Sequence, residues 1–166
     1  MSTSGIMVLA LTKRAQKHIQ QQFVNRTIKK RYMAILEGDI EKKLGKKQGE
    51  INLPLRGDFD DKPKQLVCFE EGKKSRTHWE VIDVVEGKSK LYLYPESGRT
   101  HQLRVHCAHP LGLNLPILGD DLYGANHHDN GSDKKAYQRL HLHAEMLTLI
   151  HPITKEVMTF RVGTNF

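Results

Sequence analysis

Lys90-Leu91-Tyr92-Leu93-Tyr94 alternates strictly, stops at Pro95 and leads directly into a donor-rich segment, Ser97 to His109; no other stretch constrains the fold as tightly. The alternation predicts a half-buried strand, because successive side chains leave a strand on opposite sides. Gly98 then supplies a turn, and Leu103 and Cys107 recur at helical spacing before Pro110 and Gly112 end the element. Thr100 is the expected N-cap, which puts Arg99 at a helix N-terminus. That end of a helix gathers free backbone N–H groups, so a guanidinium there suits a phosphate or a carboxylate. His101, Arg104 and His106 add donors along the same element. On spacing alone the alternative stays open that Arg99 and Arg104 are surface cations and the histidines fill space.

A chain of 166 residues can bury one real core but not two large ones. Its formal net charge of +7 points towards a polyanionic partner, although lysine-rich surfaces are also ordinary solvated faces. Cys68 and Cys107 stand far apart in unrelated contexts and outline neither a disulfide framework nor a thiolate metal site, which fits a reducing cytoplasm. No leader-like segment and no bilayer-length apolar run is found, so export and membrane insertion are not expected.

Along the chain, Ile6 to Leu11 reads as a buried strand, and Thr12 as the cap of a helix with Ala15, Ile19 and Phe23 on one face. Lys29-Lys30-Arg31 precede a strand from Tyr32 to Leu36 that ends at Gly38. Glu41 to Lys47 reads as an exposed lysine-rich loop, Asp58 to Pro63 as a turn-rich connection, and His78 to Val85 as a strand whose Trp79 belongs to the core. Asn126 to Lys135 reads as a loop. Its His127-His128-Asp129 invites a metal, but no third ligand stands at a recognised spacing, and no metal site is expected. Val157 to Val162 reads as a last strand. Few helices and no regular βαβ alternation predict an α+β fold: one domain with a mixed, largely antiparallel central sheet and flanking helices.

Several of these segments together resemble the RluA-type family of RNA pseudouridine synthases. The resemblance rests on Gly98-Arg99-Thr100-His101-Gln102-Leu103-Arg104-Val105-His106, on Pro116-Ile117-Leu118-Gly119-Asp120 and on Leu122-Tyr123-Gly124. Thr3-Ser4-Gly5, Lys29-Lys30-Arg31-Tyr32, Gly49 to Leu55 and Arg139 to Ala144 extend it from Thr3 over nearly the whole chain. It implies a curved mixed sheet crossed by an active-site cleft, and isomerisation of uridine to pseudouridine within rRNA or tRNA without cofactor or metal.

The same resemblance implies catalytic roles for Tyr32, stacked on the target base, for Arg99, ion-paired with a nucleophilic aspartate, and for Leu142, lining the uracil pocket. Lys30, Arg31, His101, Gln102 and Arg104 are the candidate RNA contacts. In the family two variable residues separate the aspartate from the Thr-Ser-Gly segment, so here it falls immediately before Met1. The expectation is therefore an N-terminally incomplete catalytic domain, without an S4-like domain and inactive as it stands. Two other readings remain: a non-catalytic RNA-binding protein derived from this fold, and a metal-dependent hydrolase built on the histidines.

Overall fold

The computed structural model describes residues 3–124, 139–164 and 166. Its strands are β1 (Ser4–Gly5), β2 (Lys29–Ile35), β3 (Gln48–Asn52), β4 (Leu55–Gly57), β5 (Gln65–Val67), β6 (Arg76–Val85), β7 (Lys88–Pro95), β8 (Leu142–Ile150) and β9 (Val157–Arg161). Its helices are α1 (Lys13–Val24), α2 (Ile40–Leu44) and α3 (Gln102–Ala108). Seven strands form one sheet in the order β1-β8-β2-β7-β6-β3, with β9 also on β8, while β4 and β5 make a separate hairpin. Only the β1–β8 pairing in the sheet is parallel. This is the mixed, largely antiparallel α+β fold expected.

The alternating segment is β7, in which Leu91 and Leu93 are fully buried while Tyr92 and Tyr94 face the other way. Leu91, Leu93, Ala34, Leu142 and Trp79 join Leu103 and Cys107 of α3 in the main core. Fully burying one such leucine contributes about 1.5–3 kcal/mol, so this layer is what fastens α3 to the sheet. A smaller cluster, Ile28, Leu147 and Leu149, is covered by Ile6, Val8 and Ile19 of the N-terminal segment and α1.

Four local expectations need correction. The strand near the N-terminus covers only Ser4–Gly5, and Met7, Leu9 and Leu11 are 64%, 75% and 95% exposed. The reason lies on β8: β1 meets it at His143 and Ala144, but β9 occupies the same edge from Met146 to Ile150, which leaves residues beyond Ile6 no ladder to join. On α1, Thr12 does cap the helix through Ala15 N, yet Phe23 is exposed and Gln22 is buried. Gln22 turns inward because its amide both donates to and accepts from the backbone of Ile150. Part of the lysine-rich segment is helical: Asp39 caps α2 through Lys42 N, and Gly45 ends it in the left-handed conformation. Finally, α3 is not capped by Thr100. His101 occupies the N-cap position with no side-chain cap bond, and the Gln102 side chain takes up the Arg99 N–H instead.

Candidate active site

Register aligns one row of residues across six strands: Gly5, Ala144, Tyr32, Leu93, Trp79 and Gly49 are successive neighbours from β1 to β3. Directly opposed residues share a face. Tyr32 therefore stands on the side of the sheet that carries buried Leu93 and Trp79, and two residues along the strand Ala34 lies opposite Leu142 on that side. The two apolar clusters, one under α3 and one under α1, both rest on this face; Tyr32 packs against the first, and Lys30 lies opposite Leu147 of the second.

Lys30 joins the two walls. Its Nζ donates to Ser97 O at 3.0 Å, in the turn between β7 and α3, and lies 6.0 Å from the centre of the Phe23 ring on α1. Burial, and then the Arg26 charge, hold its pKa below the usual lysine range. Burial also pushes the Tyr32 phenol up, so it stays protonated at neutral pH, and its hydroxyl has no hydrogen-bond partner among the described residues. Leu142 is 3% exposed and belongs to the core.

Arg99 sits in the turn that Lys30 tethers. It is exposed, its backbone N–H donates to Gln102 Oε1 at 3.1 Å, and its guanidinium has no ion pair or hydrogen bond among the described residues. Gln102 is the hub behind it. Its Oε1 also accepts from Ser97 Oγ at 2.7 Å, and its Nε2 donates to Arg76 O and Thr77 Oγ1, both at 3.0 Å. Thr77 in turn lies 2.9 Å from His106 Nδ1, while His106 Nε2 is 3.2 Å from Leu53 O. Leu53 O can only accept, so Nε2 carries the proton and Nδ1 accepts from Thr77. Burial drives the His106 pKa down to about 4.

Arg104 and Gln102 do not present donors to a ligand. Arg104 is buried and holds Asp120 through Nε at 2.9 Å and through Nη2, which also reaches Asp121 at 2.6 Å. Arg31 is engaged as well, but on the opposite face. A bulge in β8 sets Glu145 beside it, and the two form a bidentate pair at 2.6 and 2.9 Å over the Tyr92 ring. The face that Arg31 takes could have been read from the sequence, since neighbouring residues in a strand point to opposite faces, whereas its partner could not.

Sequence reasoning assigned no role to Asp120, Asp121, Tyr123 or Ser97. Asp120 Oδ1 accepts from the N–H groups of Leu122 and Tyr123, which shapes the turn. Tyr123 Oη accepts from Gln65 N and lies 2.9 Å from His101 Nδ1. Asp120 and Tyr123 fall in the matching strings and Ser97 opens the donor-rich segment, while nothing marked Asp121. Among the described residues no group of His, Cys, Asp and Glu is arranged to hold a metal, and His127-His128-Asp129 lies outside them. What the arrangement offers is a half-buried aromatic ring on a sheet floor, an unpaired guanidinium on a braced turn, and a basic side chain between them. Such a site suits a flat base attached to an anionic backbone.

The chain belongs to the RNA pseudouridylate synthase family, whose family model matches residues 1–109. Within it, the relatives are of the RluA type. The chain is 44% identical to the dual-specificity RNA pseudouridine synthase RluA of Haemophilus ducreyi over 167 residues, which cover 100% of this chain and 71% of the relative. For the Escherichia coli protein of the same name the identity is 40%, with the same coverage. Among solved structures, human RNA Pseudouridylate Synthase Domain Containing 1 superposes with a TM-score of 0.73 at 28% identity, over 95% of this chain and 63% of that one. Human RNA Pseudouridylate Synthase Domain Containing 4 gives 0.69 at 24% identity, over 95% and 66%, and speaks for the fold alone.

Proposed function

We propose that this protein converts uridine to pseudouridine within RNA, using the cleft between α1 and α3. The N1–C1′ bond of the nucleoside breaks, the uracil turns, C5–C1′ forms, and a proton is lost from C5 and gained at N1, so no cofactor enters the balance. The observation that carries this reading is the Tyr32 row: a tyrosine ring with a free hydroxyl on the same face of the sheet as Lys30, whose ammonium ties down the turn that bears Arg99. In this reading Tyr32 stacks on the extruded base, Leu142 backs the pocket and Arg99 holds the nucleophilic carboxylate. That carboxylate is the aspartate the family pattern puts immediately before Met1. Extruding a base costs a few kcal/mol, which phosphate contacts by a cationic protein offset.

Among the RNA contacts expected, Lys30 and His101 remain at the cleft, whereas Gln102 and Arg104 act as its bracing and Arg31 belongs to the other face. The words dual-specificity in the relatives' name support more than one class of RNA, for which we propose rRNA and tRNA, encountered in the cytoplasm. No helix among the described residues is long and apolar enough to cross a membrane.

Pseudouridine formation on bulk rRNA and tRNA tests the proposal, comparing residues 1–166 with a chain extended upstream in frame through an aspartate before Met1. Product is expected from the extended chain only. Product from residues 1–166 alone refutes the placement of the nucleophile. No product from either chain, with RNA binding kept, favours the non-catalytic RNA-binding reading.

A further inference from the structure

His101 adopts φ 52° and ψ 16°, the left-handed region, at the N-cap of a buried helix where its side chain makes no cap bond. A non-glycine residue held there carries strain that the surrounding structure must over-determine. The side chain shows what holds it. Tyr123 Oη already accepts the Gln65 N–H at 2.8 Å, which leaves its own proton free to go to His101 Nδ1, 2.9 Å away. With Nδ1 an acceptor, the ring proton sits on Nε2.

The Tyr123 ring meets the imidazole edge-on, with centroids 5.7 Å apart, and has the Arg104 guanidinium 5.3 Å from its own centre. Arg104 is fixed by Asp120 and Asp121. Burial, and then the Arg104 charge, lower the His101 pKa against the opposing pull of Asp120 and Asp121, so the ring is neutral at pH 7. Its Nε2–H has no partner among the described residues, and two residues earlier in the same turn stands Arg99 with its unpaired guanidinium.

We propose that His101 is an RNA-contacting residue that gives one fixed donor, Nε2–H, to an uncharged oxygen of the RNA, a base carbonyl or a 2′-hydroxyl, while Tyr123 serves as the positioning residue that fixes its tautomer. This deepens the synthase reading and rests on it. A phosphate would call for a cation, and in residues 1–166, without the carboxylate that Arg99 otherwise holds, that part falls to Arg99. A neutral ring locked in one tautomer instead selects by geometry, as a base edge or a ribose hydroxyl requires.

The test uses a uridine-containing RNA hairpin in filter binding over a series of salt concentrations, with long-range 1H–15N NMR of the His101 ring. The variants are His101→Gly, which accepts the same backbone conformation and so keeps the fold, Tyr123→Phe and Arg99→Ala. The wild-type ring is expected as the Nε2–H tautomer in the free protein, and Tyr123→Phe as a tautomer mixture. His101→Gly is expected to weaken binding about tenfold with the salt slope unchanged, whereas Arg99→Ala lowers the slope by about one. An Nδ1–H tautomer in the wild type, or wild-type affinity in His101→Gly beside a loss in Arg99→Ala, overturns this inference alone. A lower salt slope in His101→Gly also overturns it, because the partner is then a phosphate. Weak, salt-insensitive binding by the wild-type chain overturns the synthase reading and this inference with it.

Discussion

Replacing Asp120 with asparagine tests whether α3 is held by charge from within. The Arg104 and Asp120 side chains are 8% and 0% exposed and meet through two parallel contacts, Nε to Oδ2 and Nη2 to Oδ1. Asparagine keeps one oxygen, which can go on accepting from Leu122 N and Tyr123 N. Its amide nitrogen then faces Arg104 Nε, donor against donor. Removing one partner of a buried pair costs about 3–5 kcal/mol, because the remaining charge is left in a poorly solvated place. Asp121 reaches the same Nη2 at 2.6 Å but is 71% exposed, so it retains only part of the interaction, and the expected loss lies near the lower bound, about 3 kcal/mol. With a urea m-value of roughly 2 kcal/mol/M, the midpoint falls by about 1.5 M. Asp121→Asn, which touches an exposed partner, should cost under about 1 kcal/mol. Far-UV circular dichroism in urea measures both. Combining Arg104→Met with Asp120→Asn should recover part of the loss, since no charge is then stranded. A midpoint for Asp120→Asn within about 0.5 M of wild type, or at or above that of Asp121→Asn, refutes the reasoning.

Two further outcomes follow from the same layer. His106 refuses a proton down to about pH 4 in the folded chain but takes one near 6.5 when unfolded, so the unfolded state binds more protons in that window. Its stabilisation is whole above pH 6.5 and drains away as pH falls towards 4, by roughly 3 kcal/mol in all. Urea midpoints at pH 7.5 and 4.5 measure the slope, and a His106→Gln chain that loses stability as steeply as wild type would contradict this account. Gln102→Ala strands the buried Ser97 hydroxyl, takes one of its two partners from Thr77 and frees the Arg99 N–H; a loss of roughly 1–3 kcal/mol and weaker RNA binding are expected. An unchanged melting temperature would count against Gln102 as the hub.

Much of the sheet was legible because its signals are local. Alternation in Lys90–Tyr94 gives the body of β7, Thr12 gives the start of α1, and Trp79 lies in the core as its apolar bulk predicts. The N-terminal segment was not legible in the same way. Ile6 to Leu11 is apolar enough for a buried strand, but whether a strand forms depends on a free edge, and β9 takes the edge of β8 that it would need. The bulge at Glu145 is likewise a matter of pairing rather than of composition: it decides that Arg31 finds a carboxylate, and no pattern within β2 announces it.

The site was legible as a place more than as a set of roles, and α3 shows why. A segment bearing Gln102, Arg104 and His106 looks, residue by residue, like a surface that offers donors to a ligand. In the fold, six of its seven residues are buried, so every one of those polar groups needs a partner inside the protein, and each has one: Thr77 and Ser97 for Gln102, Asp120 and Asp121 for Arg104, Thr77 and Leu53 for His106. Polarity in the sequence is the same whether a side chain meets solvent or a buried counterpart, and only the counterpart's position in space separates the two. The donors left for a ligand are those just before the helix, at Arg99 and His101, which the buried groups hold in place. A short helix whose polar and apolar side chains are both buried makes a poor binding surface but a stiff support, and a reaction that must grip an extruded base needs its contacting residues on such a support.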